Sequence, residues 1–181
     1  MVFGYGSLVW KVDFPTVRSF PCKIRGFERR FWMKSCDHRG TPEAPGRVCT
    51  LVESVPELKG DGEVLGVAYE IPKANFKAIL KDLDYRERHG YTRTVAKVTD
   101  LKGKVHDCQV YYNNVDGQAA CVWGERPSDT AKIIAKAVGP SGPNIVYLRN
   151  LAEGIRRLKM GADPYLEELL AKAEGKGSKG K

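Results

Sequence analysis

No two cysteines in this chain have the close spacing of a zinc site. The five that are present (Cys22, Cys36, Cys49, Cys108 and Cys121) are odd in number and widely scattered. They read as reduced thiols of a cytoplasmic protein. The five cysteines and three histidines show no ligand spacing, so no metal is expected. Long apolar runs are also missing, which excludes a membrane-crossing helix. The first strand begins at residue 2, so no targeting segment is expected ahead of it. There is no internal repeat and no sign of a second domain.

What is there has an ordinary globular composition, 42% hydrophobic and 29% charged over 181 residues. This suffices for one domain with a sizeable core, predicted over residues 1–173. Residues 174–181, a Lys/Gly-rich tail, read as disordered. Of the net charge of +8, that tail contributes +2 (three lysines, one glutamate), leaving +6 for the body. Seven basic residues fall between Lys23 and Arg47 against three acidic ones (Glu28, Asp37 and Glu43). Such a face can attract a small anionic substrate. No recognised motif accompanies it, so nucleic acid is not an expected partner.

The stretch Val2–Leu8, VFGYGSL, is the centre of the reading. Val2 and Phe3 read as a buried strand that breaks into Gly4-Tyr5-Gly6-Ser7. Glycines on both sides of Tyr5 allow a tight turn and a close approach to the backbone. Consecutive backbone N–H groups in such a turn can form an anion-binding concavity without any charged side chain. A free carboxylate or a developing oxyanion is the natural guest.

Downstream, Lys11–Cys22 contains Pro15 and Pro21 and reads as a loop, and Lys23–Ser35 as one long strand. Cys36–Gly46 is a polar loop. Arg47–Glu53 and Glu63–Ile71 are further strands. Pro72 starts a helix whose buried face is Phe76, Ile79, Leu80 and Leu83, with Gly90 as its stop. Strands follow at Tyr91–Thr99, His106–Tyr112 and Ala119–Trp123. Helices then cover Ser128–Val138, a stretch with Leu148, Leu151, Ile155 and Leu158 as its stripe, and a segment from Asp163-Pro164. Strands first and helices last predict an α+β domain. Six or seven strands in one chain most easily close into a small β-barrel with flanking helices.

Three constellations offer chemistry. Glu87 lies between Arg86 and Arg88 at the end of an amphipathic helix, just ahead of Gly90-Tyr91. Cys36-Asp37-His38 invites a nucleophile or metal reading, but neighbours in sequence seldom aim at one point, and a cysteine nucleophile needs a positioned base. Ser141 in GPSGPN reads as a helix N-cap ahead of Pro143.

Taken together, VFGYGSLVWK, RGFERRFW, DHRGTPEAPGRVCTL, GVAYEI, YRERHGY and GPSGPNIVYLRNL resemble the successive blocks of the ChaC family of glutathione-specific gamma-glutamylcyclotransferases. The resemblance runs from residue 2 to about residue 170 in the family's order. It implies a small gamma-glutamylcyclotransferase-type barrel. It also implies cleavage of glutathione into 5-oxoproline and cysteinylglycine with no cofactor. By the same resemblance the turn Tyr5, Gly6, Ser7 and Leu8, led in by Val2, Phe3 and Gly4, holds the gamma-glutamyl moiety, and Glu87 is the acid/base residue. Arg88-His89 is this chain's version of the variable link to the Gly-Tyr pair, and it adds positive charge beside Glu87. Arg39, Arg47 and Tyr147 are implied as pocket-lining residues. The alternative function is a non-catalytic barrel module that binds an anionic ligand or partner through its basic face. The sequence leaves the oligomeric state open.

Overall fold

A computed structural model describes residues 1–54, 62–86, 91–113 and 121–175. In chain order its strands are β1 (Val2–Gly4), β2 (Arg18–Arg25), β3 (Phe27–Ser35), β4 (Gly46–Glu53), β5 (Glu63–Glu70), β6 (Thr92–Asp100), β7 (Val105–Tyr112), β8 (Val138–Gly139) and β9 (Gly142–Pro143). The helices are α1 (Phe76–Arg86), α2 (Pro127–Lys136), α3 (Asn144–Arg157) and α4 (Pro164–Ala173). Two compact units result, each assembled from two chain segments. The first draws on residues 1–29 and 51–118, the second on residues 30–50 and 119–181.

The first unit holds a closed barrel in the order β1-β5-β2-β6-β7. Its neighbours are antiparallel except at the closure, where β1 and β7 run parallel with Val2 opposite Gln109. Gln109 N–H donates to Met1 O across that seam at 2.9 Å. Strand β2 shows why the barrel closes: Cys22 and Ile24 are fully buried, while Arg25 points out to solvent. Helix α1 turns Ile79 and Leu83 inward, where they form one cluster with Val2, Ile71 and Tyr111. Each such burial is worth roughly 1.5–3 kcal/mol.

The α+β class and the closed barrel are as the sequence predicts, but several boundaries differ. Strand β2 starts at Arg18, inside the predicted loop. Pro21 is tolerated there because β2 pairs with β5 along its whole length but with β6 only over Cys22–Ile24. The predicted single strand over Lys23–Ser35 is two strands, broken at Gly26, whose φ of 82° few other residues adopt. The barrel accordingly has five strands rather than six or seven, and β3 and β4 pair with each other in a separate sheet. Pro72 caps a 3₁₀ turn, Lys73–Asn75, that leads into α1. Of the predicted strand Ala119–Trp123, the described part forms one bridge, Met33 with Cys121.

The second unit contains α2, α3 and α4, whose buried stripes include Ile134, Leu148, Leu151, Ile155, Leu166 and Leu169. Asp163 caps α4 by accepting from Leu166 N–H at 3.1 Å. The Ser141 N-cap is overturned: α3 begins at Asn144 with Pro143 at its N-cap, and Ser141 lies in the turn between β8 and β9. Among the described residues no helix is long and apolar enough to cross a membrane. The predicted helix stop Gly90 and most of the tail, residues 176–181, lie outside the described residues.

Candidate active site

Beyond Gly4 the chain enters a 3₁₀ turn, Ser7–Val9, with Gly6 at its N-cap and no side chain capping it. Val9 N–H closes the turn on Gly6 O at 3.0 Å. A side chain from β5, one from β3 and a backbone carbonyl of β7 fix this backbone. Tyr69 donates its hydroxyl to Leu8 O at 2.5 Å. Burial, with a smaller contribution from Cys22, pushes the Tyr69 phenol up to about 12, so it stays a donor at neutral pH. Tyr5 donates its own hydroxyl to Tyr111 O at 2.6 Å. Arg29, only 2% exposed, donates to Tyr5 O and to Leu65 O.

The same network reaches the end of α1. Tyr111 donates its hydroxyl to Asp84 Oδ1 at 2.7 Å, and Arg93 pairs with the other Asp84 oxygen at 3.2 Å. Burial raises the Tyr111 phenol well above its usual range, and the neighbouring Asp84 carboxylate raises it further. Arg86, the last residue of α1, donates to both carboxylate oxygens of Asp13 at 2.9 and 2.8 Å. Leu8 and Phe14 pack against the cluster that holds Ile79 and Leu83. Turn and helix end are thus tied together within one unit through Tyr5, Tyr111 and Asp84. Glu87, the residue after Arg86 in the chain, lies outside the described residues.

The turn is legible in the sequence, but the side chains that hold it are not. Arg29 stands in the block RGFERRFW among other arginines and aromatics, with nothing to mark it as the buried one. Tyr69, Tyr111 and Asp84 belong to regular strand and helix patterns. Their roles come from pairings across 61, 106 and 27 positions, which no local signal announces.

Arg39, Arg47 and Tyr147 belong to the second unit. Arg39 donates to Ser141 O (2.7 Å) and Pro143 O (3.3 Å) and stands 5.8 Å over the Tyr147 ring. Arg47 is committed to Glu125 through Nε and Nη2 at 2.9 and 2.7 Å, a bidentate pair of the strong kind. Asn144 brackets the Arg47 backbone, accepting from its N–H at 2.7 Å and donating to its carbonyl at 2.8 Å.

The cysteines split by burial. Burial holds the Cys22 and Cys108 thiols up at about 12 and 11, where they stay protonated and unreactive at neutral pH. Cys36 is exposed, and the His38 ring faces Ser141 Oγ at 3.4 Å. Cys36→Ala is therefore expected to keep most of the wild-type turnover and melting temperature. A fall of several orders of magnitude in a folded Cys36→Ala protein would instead assign a nucleophile.

Comparison with known proteins agrees with this architecture. The family model described as ChaC-like protein matches residues 1–176. The chain is 32% identical to the glutathione-specific gamma-glutamylcyclotransferase of Saccharomyces cerevisiae over 93% of each chain. It is 38% identical to the enzyme of the same name from Schizosaccharomyces pombe, over 87% of this chain and 83% of that one. The crystal structure of a yeast gamma-glutamyl cyclotransferase specific to glutathione superimposes with a TM-score of 0.87 at 31% identity, covering 96% of this chain and 95% of that one. The family match covers nearly the whole sequence, and both the barrel and the glycine-flanked turn fall within it. The chain belongs to the ChaC-like protein family.

Proposed function

We propose that this protein degrades glutathione by cyclising its gamma-glutamyl group, releasing 5-oxoproline and cysteinylglycine, with Glu87 as base and then acid. The observation that carries this reading is the coupling of the Tyr5–Leu8 turn to the end of α1 through Tyr5, Tyr111 and Asp84. Similarity over most of the chain to enzymes named for this activity supports the same reaction. In keeping with the continuous family match over residues 1–176, we take residues 1–173 to act as one catalytic domain. The five unbridged cysteines favour a reducing, cytoplasmic setting.

The chemistry suits the residue types. Glutathione carries its own nucleophile, the gamma-glutamyl α-amine, which attacks the side-chain carbonyl to close a five-membered ring. Intramolecular attack already brings the reactants together, so the protein must chiefly fold the substrate and move protons. At neutral pH the amine is protonated, and the Glu87 carboxylate removes that proton. The C–N bond to the cysteinyl nitrogen then breaks as the same residue returns that proton to the leaving nitrogen, and the second proton lost by the ring nitrogen ends on the released amine, which is protonated at neutral pH. Backbone N–H groups at Tyr5–Leu8 hold the α-carboxylate, or the oxyanion that forms at the attacked carbonyl. The balance closes without metal, nucleotide or covalent intermediate.

Incubating the purified protein with glutathione and separating the products tests the reading directly. Equimolar 5-oxoproline and cysteinylglycine are expected, and glutathione left intact would refute the activity. The cyclisation itself has a sharper test. N-acetylglutathione, whose nitrogen is blocked, is expected to give no cysteinylglycine. Release of the dipeptide from it would mean that water, not the amine, is the nucleophile.

A further inference from the structure

The Tyr5–Leu8 turn has no charged side chain, yet the proposed reaction gives it a carboxylate to hold. We propose that Arg29 is the positioning residue that makes this turn selective for a carboxylate, acting through the Tyr5–Gly6 peptide without touching the substrate. The inference rests on the reading of the turn given above and adds the source of its charge preference.

Three observations support it. Arg29 is 2% exposed, and its two terminal nitrogens are committed to Tyr5 O and Leu65 O, so the guanidinium is pinned between the turn and β5. The chain has no cis peptide among the described residues, so the Tyr5 carbonyl and the Gly6 N–H lie in one peptide plane and point in opposite directions within it. The cation therefore lies behind the peptide, and the N–H faces away from it. Gly6 commits its carbonyl to Val9 N–H, while its own N–H is taken by no other group among the described residues.

The physical consequence is twofold. A guanidinium bonded to the carbonyl draws electrons through the amide and strengthens the N–H on the far side as a donor. Its charge also acts on whatever that N–H binds, through a buried path that salt screens weakly. An anionic guest gains from both effects, and a neutral amide of the same shape gains far less. Leu65 O keeps the guanidinium from swinging toward the guest and replacing the peptide as the contact.

The test compares glutathione with its analogue in which the gamma-glutamyl α-carboxylate is a primary amide. That analogue keeps the free amine and the scissile bond. KM and kcat for both substrates are measured on wild type, Arg29→Met, Arg29→Gln and Arg29→Lys, with a thermal melt for each. Removing the charge in Arg29→Met is expected to shrink the preference for the carboxylate by roughly thirtyfold, the scale of one charge acting over about 8 Å at an effective dielectric of about 20. The loss should appear in KM rather than kcat. Arg29→Lys, which keeps the charge, should retain most of the preference. Should Arg29→Met fail to fold, Arg29→Gln carries the same comparison with a neutral donor. Equal losses for both substrates, or an unchanged preference in both neutral variants, would overturn the proposal. Wild-type turnover of glutathione reports separately on the reaction itself. If that is absent, the preference is read from titrations of the two compounds against the same variants.

Discussion

Glu87→Gln is expected to leave a folded protein that still binds glutathione and turns it over roughly 10²–10⁴-fold more slowly, the usual worth of general acid–base catalysis. The upper end of that range is expected, because in the proposed mechanism one carboxylate serves both proton transfers. Glutamine keeps the shape of the side chain and removes only its capacity to accept a proton. Folding should be little changed, since the substitution buries no new charge and α1 keeps its inward residues Ile79 and Leu83. Binding should survive as well, because the carboxylate-holding backbone belongs to Tyr5–Leu8 and its anchors are Tyr69, Tyr111 and Arg29. Turnover, a binding titration and a melt on the same preparation make the check. Near-wild-type turnover in folded, substrate-binding Glu87→Gln would remove Glu87 from the mechanism.

The parts of this protein legible in its sequence are those with a short-range signal. The turn shows because two glycines flank one tyrosine after a two-residue apolar strand. Helix α1 shows because Phe76, Ile79, Leu80 and Leu83 repeat at helical spacing. Strands β5, β6 and β7 are bounded by turn residues and were readable to within a residue or two at each end. The break at Gly26 was not readable, because a glycine inside an alternating strand pattern is compatible with both a continuous strand and a turn. That one left-handed residue separates β2, paired with β5 and β6 in the barrel, from β3, paired with β4 in a separate sheet. Arg29 was hidden for a different reason. A buried arginine is stabilised by carbonyls brought to it by the fold, here from Tyr5 and Leu65, and its sequence neighbours carry no trace of them. The candidate site in this chain is therefore announced by its backbone and held by side chains that only the tertiary structure identifies.

Gly4→Ala is expected to lower kcat/KM for glutathione by about 10²-fold, the scale of a displacement of roughly 1 Å in a catalytic framework. A Cβ at position 4 would lie 2.7 Å from Leu8 Cβ and 3.1 Å from Tyr69 Cε2. Neither neighbour can yield cheaply. Leu8 Cβ is one bond from the backbone of the turn, so moving it moves the turn. Tyr69 is 5% exposed and its hydroxyl is bonded to Leu8 O, so moving the ring breaks the turn's own anchor. Overpacking of this kind costs about 1–3 kcal/mol, with a fall in melting temperature of about 2–4 °C for each kcal/mol in a chain of this length. Stability loss alone must be separated from displacement of the turn, and Gly26→Ala provides the comparison. A Cβ at Gly26 meets nothing within 4 Å, so its cost comes from the φ of 82° alone. That left-handed conformation costs roughly 1–2 kcal/mol for an alanine, comparable to the strain at position 4, and a Cβ at Gly26 touches no atom of Tyr5–Leu8. Measured well below both melting temperatures, Gly26→Ala should turn over glutathione at near the wild-type rate, while Gly4→Ala should not. Equal activity in the two variants would show that the close approach at Gly4 serves packing and has no part in holding the substrate.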